Sequence, residues 1–215
     1  LITPPPGPIE RPTELLPTHP AREPAMIVTP LTPALGALID GLDLACPLDE
    51  ATLHAVRTLW LDRGVVVFRG QQLNPAQQLA FAQQIGVPDT YPFLDGLADY
   101  PMITEVLKRE DETVNFGGIW HSDTTYQRCP PMATMLLARE LPPNGGDTLF
   151  ANQTLAFEQL SDGLKATLAG LRGVSSAGQK AVAATRQARL AEQGKTDASA
   201  QKQAIHPVLR RHPET

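Results

Sequence analysis

The stretch Trp120-His121-Ser122-Asp123-Thr124-Thr125-Tyr126 constrains this chain more than any other. Aromatic and β-branched residues make up most of it, a composition that favours a strand. On a strand, residues i and i+2 project from the same face. The spacing therefore predicts that the His121 imidazole and the Asp123 carboxylate point the same way. Such a pair is two thirds of the facial 2-His-1-carboxylate set that holds non-haem Fe(II) with open coordination positions. Alone, an H-x-D pair is a weak signal, because hydrogen bonds to neighbouring backbone account for it equally well.

Composition narrows the alternatives. At 215 residues and 42% apolar, the chain is long enough for one domain with its own core. Eighteen Lys and Arg against 23 Asp and Glu give a net charge of −5, which is no footprint for nucleic acid. No apolar run approaches the length of a membrane span, and no signal segment opens the chain. Cys46 and Cys129 lie far apart and form no C-x-x-C pair, so a reducing cytoplasm is expected. The expected partner is a small molecule, with no nucleic acid and no membrane, and a homo-oligomer is left open.

Eight prolines fall within residues 1–25, from Pro4 to Pro24. Proline removes an amide donor and breaks helix interiors and central strands. Residues 1–25 are therefore expected to be an extended, disordered tail, with Met26 as an alternative start. Beyond it, short strands are expected around 27–28 and 35–44. Asp49 reads as the cap of a helix that shows Leu53, Val56, Leu59 and Trp60 on one face and stops at Gly64. Val65 to Phe68 suits a buried strand. Asn74-Pro75 opens a second helix ending near Gly86. Further strands are expected at 102–107, 120–126, 133–138, 147–151 and 205–211, with helices capped by Asn152 and Ser161. Residues 179–203, rich in Ala, Gln, Lys and Arg, read as a solvated, helix-prone insertion or mobile lid. No βαβ rhythm and no phosphate-binding glycine pattern is evident. The expected fold is mainly β with flanking helices (α+β), an antiparallel sheet or jelly roll.

Several separated motifs then occur in order. Leu35-Gly36-Ala37, Gly41-Leu42-Asp43-Leu44 and Val67-Phe68-Arg69-Gly70-Gln71 precede Trp120 to Tyr126. Pro130-Pro131, Glu140-Leu141-Pro142, Gly145-Gly146-Asp147-Thr148-Leu149, His206-Pro207-Val208 and Arg211-His212-Pro213 follow it. This series resembles the TauD/TfdA family of Fe(II)- and 2-oxoglutarate-dependent dioxygenases, from about Met26 to Thr215. The resemblance implies a double-stranded β-helix and hydroxylation of a small, anionic organic substrate, with 2-oxoglutarate and O₂ as cosubstrates. It implies His121 and Asp123 as iron ligands and Thr148 as a contact to the 2-oxoglutarate carboxylate. Tyr91 falls where taurine-acting members place a substrate-contacting histidine, and Gly117 where they place an asparagine. Asn115 and Phe116 are the neighbouring side chains able to take that asparagine's place. These departures argue for a substrate other than taurine. No catalytic residue beyond the metal ligands is implied.

The family's distal iron histidine, and the arginine about ten residues beyond it, have no counterpart before Thr215. His206 and His212 match a segment without ligands and are expected to be satisfied structural histidines. The expectation is accordingly an N-terminal fragment with an incomplete site, inactive or nearly so. Two other readings stand beside it. One is a cupin-like metalloprotein using another metal such as Zn²⁺, although such sites usually take three protein ligands. The other is a truncated binding module without turnover.

Overall fold

The computed structural model describes residues 26–110, 117–178, 186–187, 190–191, 194 and 202–214. The expected tail at 1–25, and most of the expected insertion at 179–203, lie outside the described residues.

Two strands and a helix come first: β1 (Ile27–Pro30), β2 (Ala37–Asp40) and α1 (Glu50–Arg63). Then follow β3 (Val66–Phe68) and α2 (Pro75–Ile85). β1 pairs antiparallel with β2, and β2 pairs parallel with β3, in the order β1-β2-β3. The chain crosses from β2 to β3 through α1, which makes one βαβ unit. The sequence pattern predicts no such unit, because β3 is only three residues long and β2 stops at Asp40, before Gly41, without a long apolar run.

Local chemistry fixes both helices where the sequence puts them. The Asp49 carboxylate accepts from Thr52 N–H at 2.8 Å, and Gly64 N–H closes the helix on Trp60 O. The Thr52 bonds hold the Asp49 carboxyl below the usual carboxylate range. Asn74 and Gln77 form a reciprocal capping box at 2.9 Å each way, with Pro75 in the first turn. His54 is exposed on α1, as its position beside the apolar face predicts.

Leu44, Leu73 and Phe81 form the buried cluster between α2 and the preceding loop. Phe68 meets Phe81 edge to face at 5.8 Å. Gln71 ties the loop down, donating to Leu42 O and accepting from Leu44 N–H, both at 2.9 Å. Leu137 packs against this cluster from the far segment 133–138.

The second half is laid out differently. Asn152 and Ser161 cap α3 (Gln153–Glu158) and α4 (Asp162–Ala169), as expected. β4 (Arg172–Ser176) and β5 (Gln203–Pro207) form an antiparallel pair over five residues. β4 carries Gly173, Ser175 and Ser176, a composition poor for strands, and long-range pairing alone makes it one.

The strands expected at 102–107, 120–126, 133–138 and 147–151 do not form. A strand needs a neighbour to take its amides and carbonyls. Among the described residues no ladder pairs with these segments. They run as extended or turning chain, and Leu136 and Leu149 are 73% and 72% exposed. The described residues thus hold helices and short strands together, not a mainly β body.

Candidate metal centre

The segment 120–126 turns. Gln127 N–H donates to Thr124 O at 2.9 Å, and Thr124 sits at φ 50°. Positive φ is costly for a β-branched residue and ends any strand at that point. The His121 and Asp123 side chains still converge, through the turn and not through strand alternation. His121 Nε2 lies 3.0 Å from Asp123 Oδ1, and both side chains are about half exposed.

The remaining atoms of the pair are also engaged. His121 Nδ1 is 2.6 Å from Ile119 O. A carbonyl only accepts, so Nδ1 carries the proton. In the neutral ring Nε2 then turns its lone pair toward Asp123 Oδ1. Two acceptors at this separation repel unless a proton or a cation lies between them. On the other carboxylate oxygen, Thr134 Oγ1 donates to Asp123 Oδ2 at 2.6 Å. A carbonyl behind a histidine, and a hydroxyl behind a carboxylate, are the supports that orient metal ligands. Two donors at right angles with bonds of about 2.1 Å stand about 3.0 Å apart. The donor set therefore fits two positions of a divalent cation. Among the described residues no group of three His, Cys, Asp or Glu gathers around it.

Gly117 borders the pair. A Cβ there would meet His121 Cε1 at 3.4 Å, and its φ of +73° lies in the left-handed region. The family resemblance implies a substrate-side position for Gly117, and the structure has it beside the imidazole edge.

Tyr91 reaches the site only through other rings. It packs on Phe93 at 5.5 Å, and Phe93 packs on Tyr126 at 5.4 Å. Tyr126 lies within the turn itself, between Thr124 and Gln127. Burial, with Tyr91 nearby, pushes its phenol up to about 12, partly offset by Arg186 and by the Gln127 side chain. Arg186 caps the stack, its guanidinium 4.2 Å from the Phe93 centroid, and donates to Ala177 O at 2.7 Å. Arg186 and Leu190 are 1% and 3% exposed, so these two residues of 179–203 are buried and not solvated as expected.

Thr148 stands exposed in extended chain, and no contact among the described residues ties it to His121 or Asp123. Asn115 and Phe116 lie outside the described residues. His206 and His212 are not drawn to the pair: His206 meets backbone carbonyls, and His212 Nδ1 accepts from Glu214 N–H at 3.3 Å. Sequence reasoning missed Thr134, Phe93 and Arg186. Thr134 acts 11 residues from Asp123, and nothing in a Met-Ala-Thr-Met run signals it.

The sequence profile described as "Taurine catabolism dioxygenase TauD, TfdA family" matches residues 27–215. The chain belongs to the TauD/TfdA family. It is 32% identical to the alpha-ketoglutarate-dependent 2,4-dichlorophenoxyacetate dioxygenase of Cupriavidus pinatubonensis, over 69% of this chain and 57% of that protein. It is 32% identical to the alkylsulfatase of Acinetobacter baylyi, over 86% of this chain and 59% of that one. A crystal structure of a taurine dioxygenase from Burkholderia xenovorans superposes with a TM-score of 0.69 at 33% identity, covering 89% of this chain and 61% of that one. The chain thus spans a little over half the length of these TauD/TfdA relatives. No helix among its described residues is long and apolar enough to cross a membrane.

Proposed function

We propose that His121 and Asp123 are two of the iron ligands of an Fe(II)- and 2-oxoglutarate-dependent dioxygenase that hydroxylates a small organic anion. The observation that carries this is the 3.0 Å approach of His121 Nε2 to Asp123 Oδ1, with the outer atoms of both groups held by Ile119 O and Thr134 Oγ1. TauD/TfdA membership and the names of the relatives support the reaction class. A chlorophenoxyacetate, a sulfonate and a sulfate ester are anions, which supports an anionic substrate.

When bound, Fe(II) with 2-oxoglutarate and O₂ supplies the oxidant, yielding succinate, CO₂ and a hydroxylated substrate. The protein's own residues hold and orient. His121 offers Nε2 because Nδ1–H is engaged by Ile119 O. Asp123 offers Oδ1 because Thr134 engages Oδ2. Gly117 puts no side chain against the imidazole edge, where substrate would approach, and Tyr91 would contact substrate from its stack with Phe93 and Tyr126. Thr148 receives the 2-oxoglutarate carboxylate once its segment is drawn in.

The fold we propose for the family-length protein is a jelly roll, with 26–215 as its N-terminal part and segments 133–138 and 147–151 as strands. The exposed Leu136 and Leu149 support this, because each is an apolar side chain awaiting a sheet face. With His121 and Asp123 the two donors brought together among the described residues, we propose that the chain holds iron weakly and turns over little by itself. We place the protein in a reducing cytoplasm, in keeping with the free Cys46 and Cys129.

The deciding experiment is anaerobic titration of the chain with Fe(II) and 2-oxoglutarate, followed by visible spectroscopy. A weak charge-transfer band that is lost in His121→Ala supports the proposal. Metal binding with no response to 2-oxoglutarate would instead favour a cupin-like site for another metal.

A further inference from the structure

We propose that His206 is a positioning residue for the His121–Asp123 pair, acting through the backbone of the turn that carries it. This inference rests on the pair's role as metal ligands. His206 Nε2 lies 2.8 Å from Thr125 O and 3.1 Å from Gln127 O. Both partners only accept, so Nε2 carries a proton shared between them in a three-centre bond. A neutral ring with Nε2 protonated has no lone pair there to give a metal, which separates His206 from the ligands.

The turn needs such an anchor. Ligands on a strand would be held by ladder bonds on both sides. Here, among the described residues, the one backbone–backbone bond in 117–132 is Gln127 N–H to Thr124 O. Thr124 meanwhile holds a costly positive φ, and its hydroxyl is buried without a hydrogen-bond partner. The His206 bonds supply what the missing ladder does not. They grip the two carbonyls that flank Tyr126, while the Tyr126 ring rests on Phe93. Asp123 is only two residues from the nearer gripped carbonyl.

β5 makes a firm mount. It is paired with β4 over five residues, with His206 opposite Gly173. Strand alternation turns Ala204 and His206 inward, while Gln203, Ile205 and Pro207 are exposed. Ligand geometry must hold to a fraction of an ångström for full affinity, so an anchor outside the ligand set has leverage on it.

The test uses the full 215-residue chain, Mn(II) as the probe, and electron paramagnetic resonance to count free ion. His206→Ala removes the donor, and His206→Gln keeps an amide N–H able to reach the carbonyls. Val174→Ala, on the neighbouring strand, controls for plain destabilisation. Removing such a support is expected to weaken Mn(II) about tenfold. His206→Gln recovers most of that, and Val174→Ala leaves affinity unchanged while lowering Tm. Wild-type affinity in His206→Ala, or equal losses in His206→Ala and Val174→Ala, overturns the proposal.

A second readout needs no metal. Amide hydrogen exchange at 122–127 in the metal-free chain accelerates in His206→Ala but not in Val174→Ala, and unchanged exchange overturns the anchor by itself. If His121→Ala binds Mn(II) like wild type, the metal role of the pair has failed, and the positioning role falls with it even where the exchange result holds. Should His206→Ala not fold, His206→Asn, whose amide is shorter, takes its place in both measurements.

Discussion

Thr134 donates its hydroxyl to Asp123 Oδ2 at 2.6 Å, on the oxygen turned away from His121. A carboxylate left free would rotate and offer either oxygen. Held this way, it offers Oδ1 alone. Thr134→Val keeps the shape and removes the donor, so Mn(II) affinity is expected to fall about tenfold. Thr134→Ser keeps the hydroxyl and stays near wild type. Titration of the two variants side by side checks this, and equal affinities would rule out the hydroxyl's role.

Gly117 is predicted to carry backbone strain with any side chain. Its φ of +73° strains any L side chain, and a Cβ would stand 3.4 Å from His121 Cε1. Gly117→Ala should cost about 1 kcal/mol of stability from the backbone alone. The Cβ itself would stand at ordinary contact distance from the imidazole, so metal binding should barely move. Denaturant melts and the Mn(II) titration check the two expectations separately.

Tyr126 predicts a pH response in the alkaline range. Burial pushes its phenol up to about 12 in the folded chain, from an ordinary value near 10.0. Between these values the unfolded chain has lost a proton that the folded chain still holds. The contribution of Tyr126 is thus complete below about pH 10 and is lost as pH rises toward 12. Tyr126→Phe should show a shallower fall in stability across that window. Difference absorbance of the phenolate, wild type minus variant, should show a single midpoint near the upper value.

Asn74 supports α2 through a capping box with Gln77. Asn74→Ala should cost about 1 kcal/mol, and Asn74→Gly only a few tenths. Phe81→Ala in the adjacent cluster should cost more, about 3 kcal/mol, because it empties the contact with Phe68. Urea midpoints compare all three, and the metal titration should barely move.

The four helices of the described residues were legible because their signals are local. Asp49, Gly64, Asn74-Pro75, Asn152 and Ser161 each act on amides within four residues. The β4 strand was not legible, since Arg-Gly-Val-Ser-Ser becomes a strand only when β5 arrives from some thirty residues away. The segments 133–138 and 147–151 were expected as strands and are not, because composition cannot state whether a partner strand is present. At the site, His121 and Asp123 were legible by type and spacing. The turn that joins them was not, because composition favoured a strand and nothing local announced Thr124's positive φ. Thr134, Phe93, Arg186 and His206 escaped for one shared reason, that each acts across space on a neighbour remote in sequence.

That remoteness has a consequence for how the protein assembles. The bonds from His206 to the ligand turn span 79 and 81 residues. Chain entropy must be spent closing such a loop before the contact returns anything, so long-range contacts of this kind form slowly. The helices, capped by their own flanking residues, have no such delay. During refolding, helical circular dichroism should recover first and Mn(II) capture should lag behind it. The His121–Asp123 pair thereby marks the final stage of folding, and a chain that has regained its helices has not yet brought the two side chains together.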